Sequence, residues 1–195
     1  MQLEPIPRRK LLKLGAISAV ALGSAAAFMF SGGGVGERTT SEYPPLLVLS
    51  KGNSQTLLAM VEVVLPGSQV ANGALQRQVL SRIDEEFYFI DAKIQDDFCL
   101  ALDALEYLPI VFGKFSRFSK LSYAEREVFL SEMQKTGIET VRAVVNNCRL
   151  VPLYIYYGME ESWAAISYDG AFSRIKPLVS EQRLYYAEQV KRKSV

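Results

Sequence analysis

The chain has 195 residues, 49% apolar, 22% charged and 11% aromatic, with a formal net charge of +1. That is enough apolar material for one globular domain with a proper core, and too little positive charge for a partner that must be held through its phosphates, so no nucleic-acid partner is expected. The chain has no histidine, which excludes Ser-His-Asp and Cys-His catalysis and histidine-ligated zinc or haem.

The first element is a leader. Arg8, Arg9, Lys10 and Lys13 precede 17 uncharged positions, Leu14 to Phe30, rich in Ala, Gly and Ser, and no charge follows until Glu37. A positive start before a mildly hydrophobic run is the pattern of an export signal. Arg8, Arg9, Leu12 and Lys13 resemble the twin-arginine signal that carries folded proteins, while Pro7 and Leu11 depart from its usual residues. Ordinary unfolded secretion is the competing route. Ala25 and Ala27 supply the small residues that a signal peptidase needs. The alternative is a retained anchor, because Leu11 to Phe30 is about the 20 residues that span a bilayer. Without the first 27 residues the chain holds 18 basic and 20 acidic residues.

Residues 31–48 contain SGGGVGERTTSEYPP and are expected to be a flexible linker, followed by a single helical domain over 49–195. Leu57, Val61, Val64 and Leu65 recur at helical spacing, and Pro66-Gly67 is expected to stop that helix. Leu75, Val79, Ile83, Phe87 and Ile90 form a second stripe. Ile94, Phe98, Leu102, Leu105 and Leu108 form a third, predicted to end near Pro109. Ser122 and Glu125 fit a capping box for a fourth helix reaching Gly137. Ile138, Val141, Val145 and Cys148 line a fifth, which Pro152 is expected to kink or end. LLVLS at Leu46 to Ser50 is a short strand-like run, and VPLYIYYG reads either way. The basic C-terminus, Lys191 to Lys193, suits a solvated helix end. The expected fold class is all-α: an irregular bundle of five to seven helices after an N-terminal signal helix.

No catalytic, cofactor-binding or metal site emerges. The carboxylates of Asp84-Glu85-Glu86 and Asp96-Asp97 diverge by about 100° per residue on a helix, so a solvated face is expected for them. Cys99 and Cys148 leave three states open: an internal bridge closing a loop of roughly fifty residues and contributing about 3–4 kcal/mol, two buried thiols, or a bridge to another chain. The densest aromatic stretch is YYGMEESWAAISYDGAF, Tyr156 to Phe172, with the only tryptophan. Core packing explains Trp163 on one reading and an aromatic docking surface on the other.

The order of four features resembles the gluconate 2-dehydrogenase subunit 3 family: the double-arginine leader, LLAMVEVVLP at Leu57 to Pro66, LSYAEREVFL at Leu121 to Leu130, and finally Tyr156, Tyr157, Trp163, Tyr168 and Gly170. Ser167 and Ala171 stand where the family has Gly and Pro. The resemblance implies a non-catalytic small subunit with no cofactor of its own. Its partners would be a glucose-methanol-choline-type flavoprotein holding FAD, with a cytochrome c subunit as a further member, and the twin-arginine translocase. It would assist maturation and folded export of that sugar or alcohol dehydrogenase into the periplasm, where an uncleaved leader would tie it to the inner membrane. The expected interface is Tyr156, Tyr157, Trp163 and Tyr168 with Tyr185 and Tyr186. The competing expectation is a stand-alone periplasmic or membrane-tethered binding or scaffold protein.

Overall fold

The structure, a computed structural model, describes residues 45–65, 73–169 and 179–194. Seven α-helices and no strand occur among the described residues, so the chain is all-α. They are α1 (Lys51–Val64), α2 (Ala74–Tyr88), α3 (Ala92–Val111), α4 (Tyr123–Lys135), α5 (Glu139–Tyr157), the short α6 (Glu160–Trp163) and α7 (Glu181–Lys193). Short 3-10 turns at Phe118–Lys120 and Ala164–Ile166 complete the set. None of these helices is long and apolar enough to cross a membrane.

Helix α1 is the hub, with α2, α3, α4 and α5 packed around it. Leu57, Met60 and Val61 are fully buried along it. They meet Val79, Leu80 and Ile83 of α2, Leu102 and Leu105 of α3, and Val145 and Cys148 of α5, all without exposed surface. Phe118 and Phe129 close one end, with ring centroids 6.3 Å apart. Phe87 and Phe98 meet at 4.4 Å where α2 turns into α3.

A helix surrounded on all sides must also satisfy its polar side chains. Asn53 Nδ2 donates to Asp103 Oδ1 at 2.8 Å and to the Cys99 carbonyl at 3.3 Å. Thr56 Oγ1 donates to Glu106 Oε2 at 3.0 Å, and the same carboxyl accepts from Ser119 N–H and Oγ. Arg126 of α4, buried, donates to the carbonyls of Leu121 and Ala59 and pairs with Glu62. These contacts pin α3, the 3-10 turn and α4 to the hub in one register.

The caps follow the local chemistry. Ser50 and Asn53 form a capping box on α1, and Ser122 and Glu125 form the expected one on α4. Asp91 caps α3 by accepting from Lys93 N–H at 2.9 Å. Helix α4 stops at Lys135, two residues before Gly137.

The helix carrying Pro109 ends near it, as expected, whereas Pro152 does not end its helix. Helix α3 continues past Pro109 to Val111, and α5 runs through Pro152 to Tyr157. Each proline lies four residues after a fully buried core residue, Leu105 or Cys148, and is itself buried. The ring therefore packs as part of the stripe, and its burial offsets the missing hydrogen bond. VPLYIYYG is helix throughout except its final Gly158, which caps α5.

Candidate functional site: the Asp84 seam and an aromatic-rimmed groove

Asp84 corrects the solvated-face expectation. It has 0% exposed surface and lies within the α2 core face, four residues after Leu80 and three before Phe87. Its Oδ1 accepts from the backbone N–H groups of Val48 at 3.0 Å and Leu49 at 2.8 Å. Its Oδ2 accepts from Leu47 N–H at 2.7 Å and from the Tyr186 hydroxyl at 2.7 Å. The strand-like LLVLS run is thus no strand: it bends at Leu47 and Val48, and one carboxyl takes the N–H groups that a neighbouring strand would take. The expected linker boundary at residue 48 falls inside this seam. Lys193 Nζ of α7 also donates to the Leu46 carbonyl at 2.5 Å, so the basic C-terminus is more than a solvated end.

Tyr186 is consequently buried, and burial pushes its phenol well above the ordinary tyrosine value, with the Asp84 hydrogen bond adding to the rise. Tyr88 stacks edge-on against it at 5.7 Å. Tyr156 is buried as well, beside Tyr157. Tyr156 belongs to the core instead of the expected docking surface, and Tyr186 is held mainly in the seam with only a small exposed part.

The other aromatic candidates are placed differently. Tyr154 is 76% exposed, Tyr157, Tyr168 and Tyr185 are exposed, and Trp163 is half-buried. Trp163 and Tyr168 meet edge to face at 5.2 Å, and the Tyr168 N–H donates to the Trp163 carbonyl at 2.9 Å. Ser167 between them adopts φ +54°, the left-handed turn that lets Tyr168 fold back over the indole. The indole thus has a packing role and an open side.

That open side faces a groove of about 1060 Å³ bordered by α2, the end of α5, α6 and the start of α7. Tyr154 and Trp163 line it, with Glu160 and Glu161 of α6 and Tyr186 of α7 also on its border. The α2 side is charged: Arg82 pairs with Glu85 at 2.8 Å and with Glu86, and Arg183 of α7 reaches Glu85 at 3.2 Å. Gln78 donates to Glu161 across the groove at 3.4 Å. A groove bordered by aromatic side chains and by charges of both signs suits a protein or peptide surface, which supplies both kinds of contact.

Of the three states open to Cys99 and Cys148, the structure has separate thiols and no bridge between them. Burial pushes the Cys148 thiol up to about 12. Burial also raises Cys99, helped by the nearby carboxyls of Asp103, Asp96 and Asp84. Both shifts disfavour the reactive thiolate. Burial raises the carboxyl of Asp103 too, against the hydrogen bond from Asn53. Among the described residues no group of three or more acidic or cysteine side chains is arranged to hold a metal. Arg8, Arg9, Leu12, Lys13, Ala25 and Ala27 lie outside the described residues. No family model, curated protein or solved structure matches the chain.

Sequence reasoning misses Asp84, Glu106 and Arg126. The signal for Asp84 is present as register: an acid on the Leu80–Phe87 face of α2 needs buried donors.

Proposed function

We propose that the chain is a non-catalytic accessory subunit that escorts a flavin-dependent dehydrogenase of the glucose-methanol-choline type through folded export. The flavoprotein holds FAD and does the chemistry, and a cytochrome c subunit is a further member of the complex. Arg8 and Arg9 present the pair to the twin-arginine translocase, and the work is done in the periplasm. A flavoprotein must take up its cofactor and fold before crossing, so a signal on a small bound partner serves both chains.

The observation that supports this reading is the groove wall. Tyr154 and Trp163 present aromatic surface beside charged residues, while the seam ties α7 to α2 at its border. Interfaces draw much of their energy from such tyrosine and tryptophan anchors.

The test has two arms. Replacing Arg8 and Arg9 by Lys is expected to leave the flavoprotein in the cytoplasm. Tyr154→Asp is expected to abolish co-purification of flavin absorbance with this chain while leaving its helicity intact. A flavoprotein that reaches the periplasm at normal levels despite the arginine changes overturns the escort role. Undiminished flavin recovery with Tyr154→Asp overturns the groove as the interface.

A further inference from the structure

At the C-terminal end of α3 the chain carries apolar side chains outward. Val111 is 69% exposed, Ile110 and Phe112 are also exposed, and Phe115 is fully exposed at 106%. This tip is ordered by its backbone. Gly113 adopts φ +82°, its N–H donates to the Ile110 carbonyl at 3.1 Å, and the Lys114 N–H donates to the Pro109 carbonyl at 2.8 Å. Those two bonds form the paired helix-end motif that needs a left-handed residue at the turn. No atom comes within 4 Å of where a Gly113 Cβ would stand, so the turn projects away from the body.

Along the chain this stretch is basic. From Tyr107 to Ala124 the sequence has no acid and three bases, Lys114, Arg117 and Lys120. Of the adjoining acids, Glu106 accepts from Thr56 and Ser119, while Glu125 accepts from Ser122 and also lies within electrostatic reach of Lys114; Lys120 lines a surface pocket with Glu62. The Arg117 guanidinium lies 5.4 Å from the centre of the Tyr107 ring, two residues along from Phe115.

We propose that this tip, Ile110 to Lys120, is a docking element for a bilayer surface bearing anionic headgroups. Phe115 and Val111 enter the headgroup–acyl boundary, and Lys114, Arg117 and Lys120 meet the headgroup phosphates. An exposed apolar tip followed closely in the chain by three bases matches that boundary, which is apolar below and negative above. A protein partner of the groove kind would meet alternating charge, as on the α2 side, whereas the stretch from Tyr107 to Ala124 carries bases only. The inference is independent of the proposed partnership, since it uses neither the groove nor the leader.

The test uses the full chain carrying Phe115→Trp together with Trp163→Phe, so that a single indole reports on the tip alone. Vesicles are either pure phosphatidylcholine or a phosphatidylcholine–phosphatidylglycerol mixture, with and without brominated acyl chains. The expected result is a blue shift and bromine quenching of the tip indole in the anionic vesicles, with circular dichroism unchanged. Replacing Lys114, Arg117 and Lys120 together by Gln is expected to weaken insertion roughly a hundredfold, at about a tenfold factor for each 1.4 kcal/mol and about 1 kcal/mol per base. Because the indole senses its own surroundings, membrane binding through the leader does not imitate this signal. A tip indole that stays water-exposed on anionic vesicles overturns the proposal, whether the chain sediments with them or not. Equal insertion into phosphatidylcholine, or insertion unaffected by the Gln changes, overturns the role of the bases. Shielding of the same indole by a co-purified protein instead of lipid makes the tip a protein contact and likewise overturns it.

Discussion

Removing the Asp84 carboxyl is the sharpest perturbation of this fold, because four donors converge on it: Leu47, Val48 and Leu49 N–H, and the Tyr186 hydroxyl. Three graded variants separate the contributions. Tyr186→Phe deletes one hydrogen bond and leaves the three amides satisfied, so it is expected to cost about 1–2 kcal/mol. Asp84→Asn keeps one oxygen for two of the amides, and its new N–H₂ donates to the Tyr186 oxygen, reversing the native bond. It faces one amide with a donor instead of an acceptor, which costs about 2–3 kcal/mol. Asp84→Ala strands all three amides next to a cavity and is expected to cost about 4 kcal/mol or more, on the order of half the stability of a marginal domain. The assay is urea unfolding followed by far-ultraviolet circular dichroism, with amide hydrogen exchange at residues 47–49. Exchange there is expected to accelerate in the order Tyr186→Phe, Asp84→Asn, Asp84→Ala. A cost below about 1 kcal/mol for Asp84→Ala, or a Tyr186→Phe variant as damaged as it, would refute the reasoning that the amides are the principal clients.

Alkaline pH is expected to destabilise the chain through Cys148. The folded thiol is raised from 9.0 to about 12 by burial, so its contribution is whole below pH 9 and is lost as pH climbs towards 12. At full extent the loss is about 4 kcal/mol, and Cys148→Ala is expected to flatten that part of the stability–pH curve. Unreduced, denatured protein is expected to alkylate at both Cys99 and Cys148, as read by mass spectrometry, and a bridged mass would contradict the separate thiols. Ser122→Ala is expected to cost about 1 kcal/mol in unfolding experiments by removing the α4 cap. The same hydroxyl holds the Glu125 carboxyl below its ordinary value, so the cap's contribution is present above that value and fades as pH falls through the lowered one. Gly113→Ala places a Cβ at φ +82° and is expected to cost about 1–2 kcal/mol, although the space around it is open.

The helical class and most helix positions are legible because apolar residues at three- and four-residue spacing report a buried face directly. Val79, Ile83 and Phe87 read as a stripe and are buried as one. Pro152 misleads as a stop because its local cost is visible in sequence while the packing that offsets it is not. Pro109 and Pro152 sit on the stripes of Leu105 and Cys148, and tertiary burial outweighs the missing amide. Asp84 is hidden by its neighbours: Glu85 and Glu86 do form a surface cluster with Arg82, and consecutive acids look alike until their directions are counted. The aromatic candidates divide on the same ground. Tyr156 and Tyr157 are adjacent in sequence, yet one turns into the core and the other to solvent, a difference of one helical step.

The seam also sets an order on how the domain completes itself. Tyr186 comes 102 residues after Asp84, and Lys193 comes 147 after Leu46. A chain emerging from its N-terminus therefore has the stretch from Leu46 to Leu49 waiting, half fastened, until the last helix arrives. Until α7 arrives, a ribosome-bound or truncated chain holds Leu47 to Leu49 on Asp84 through three amides alone, without the Tyr186 hydroxyl or the Lys193 bond to Leu46.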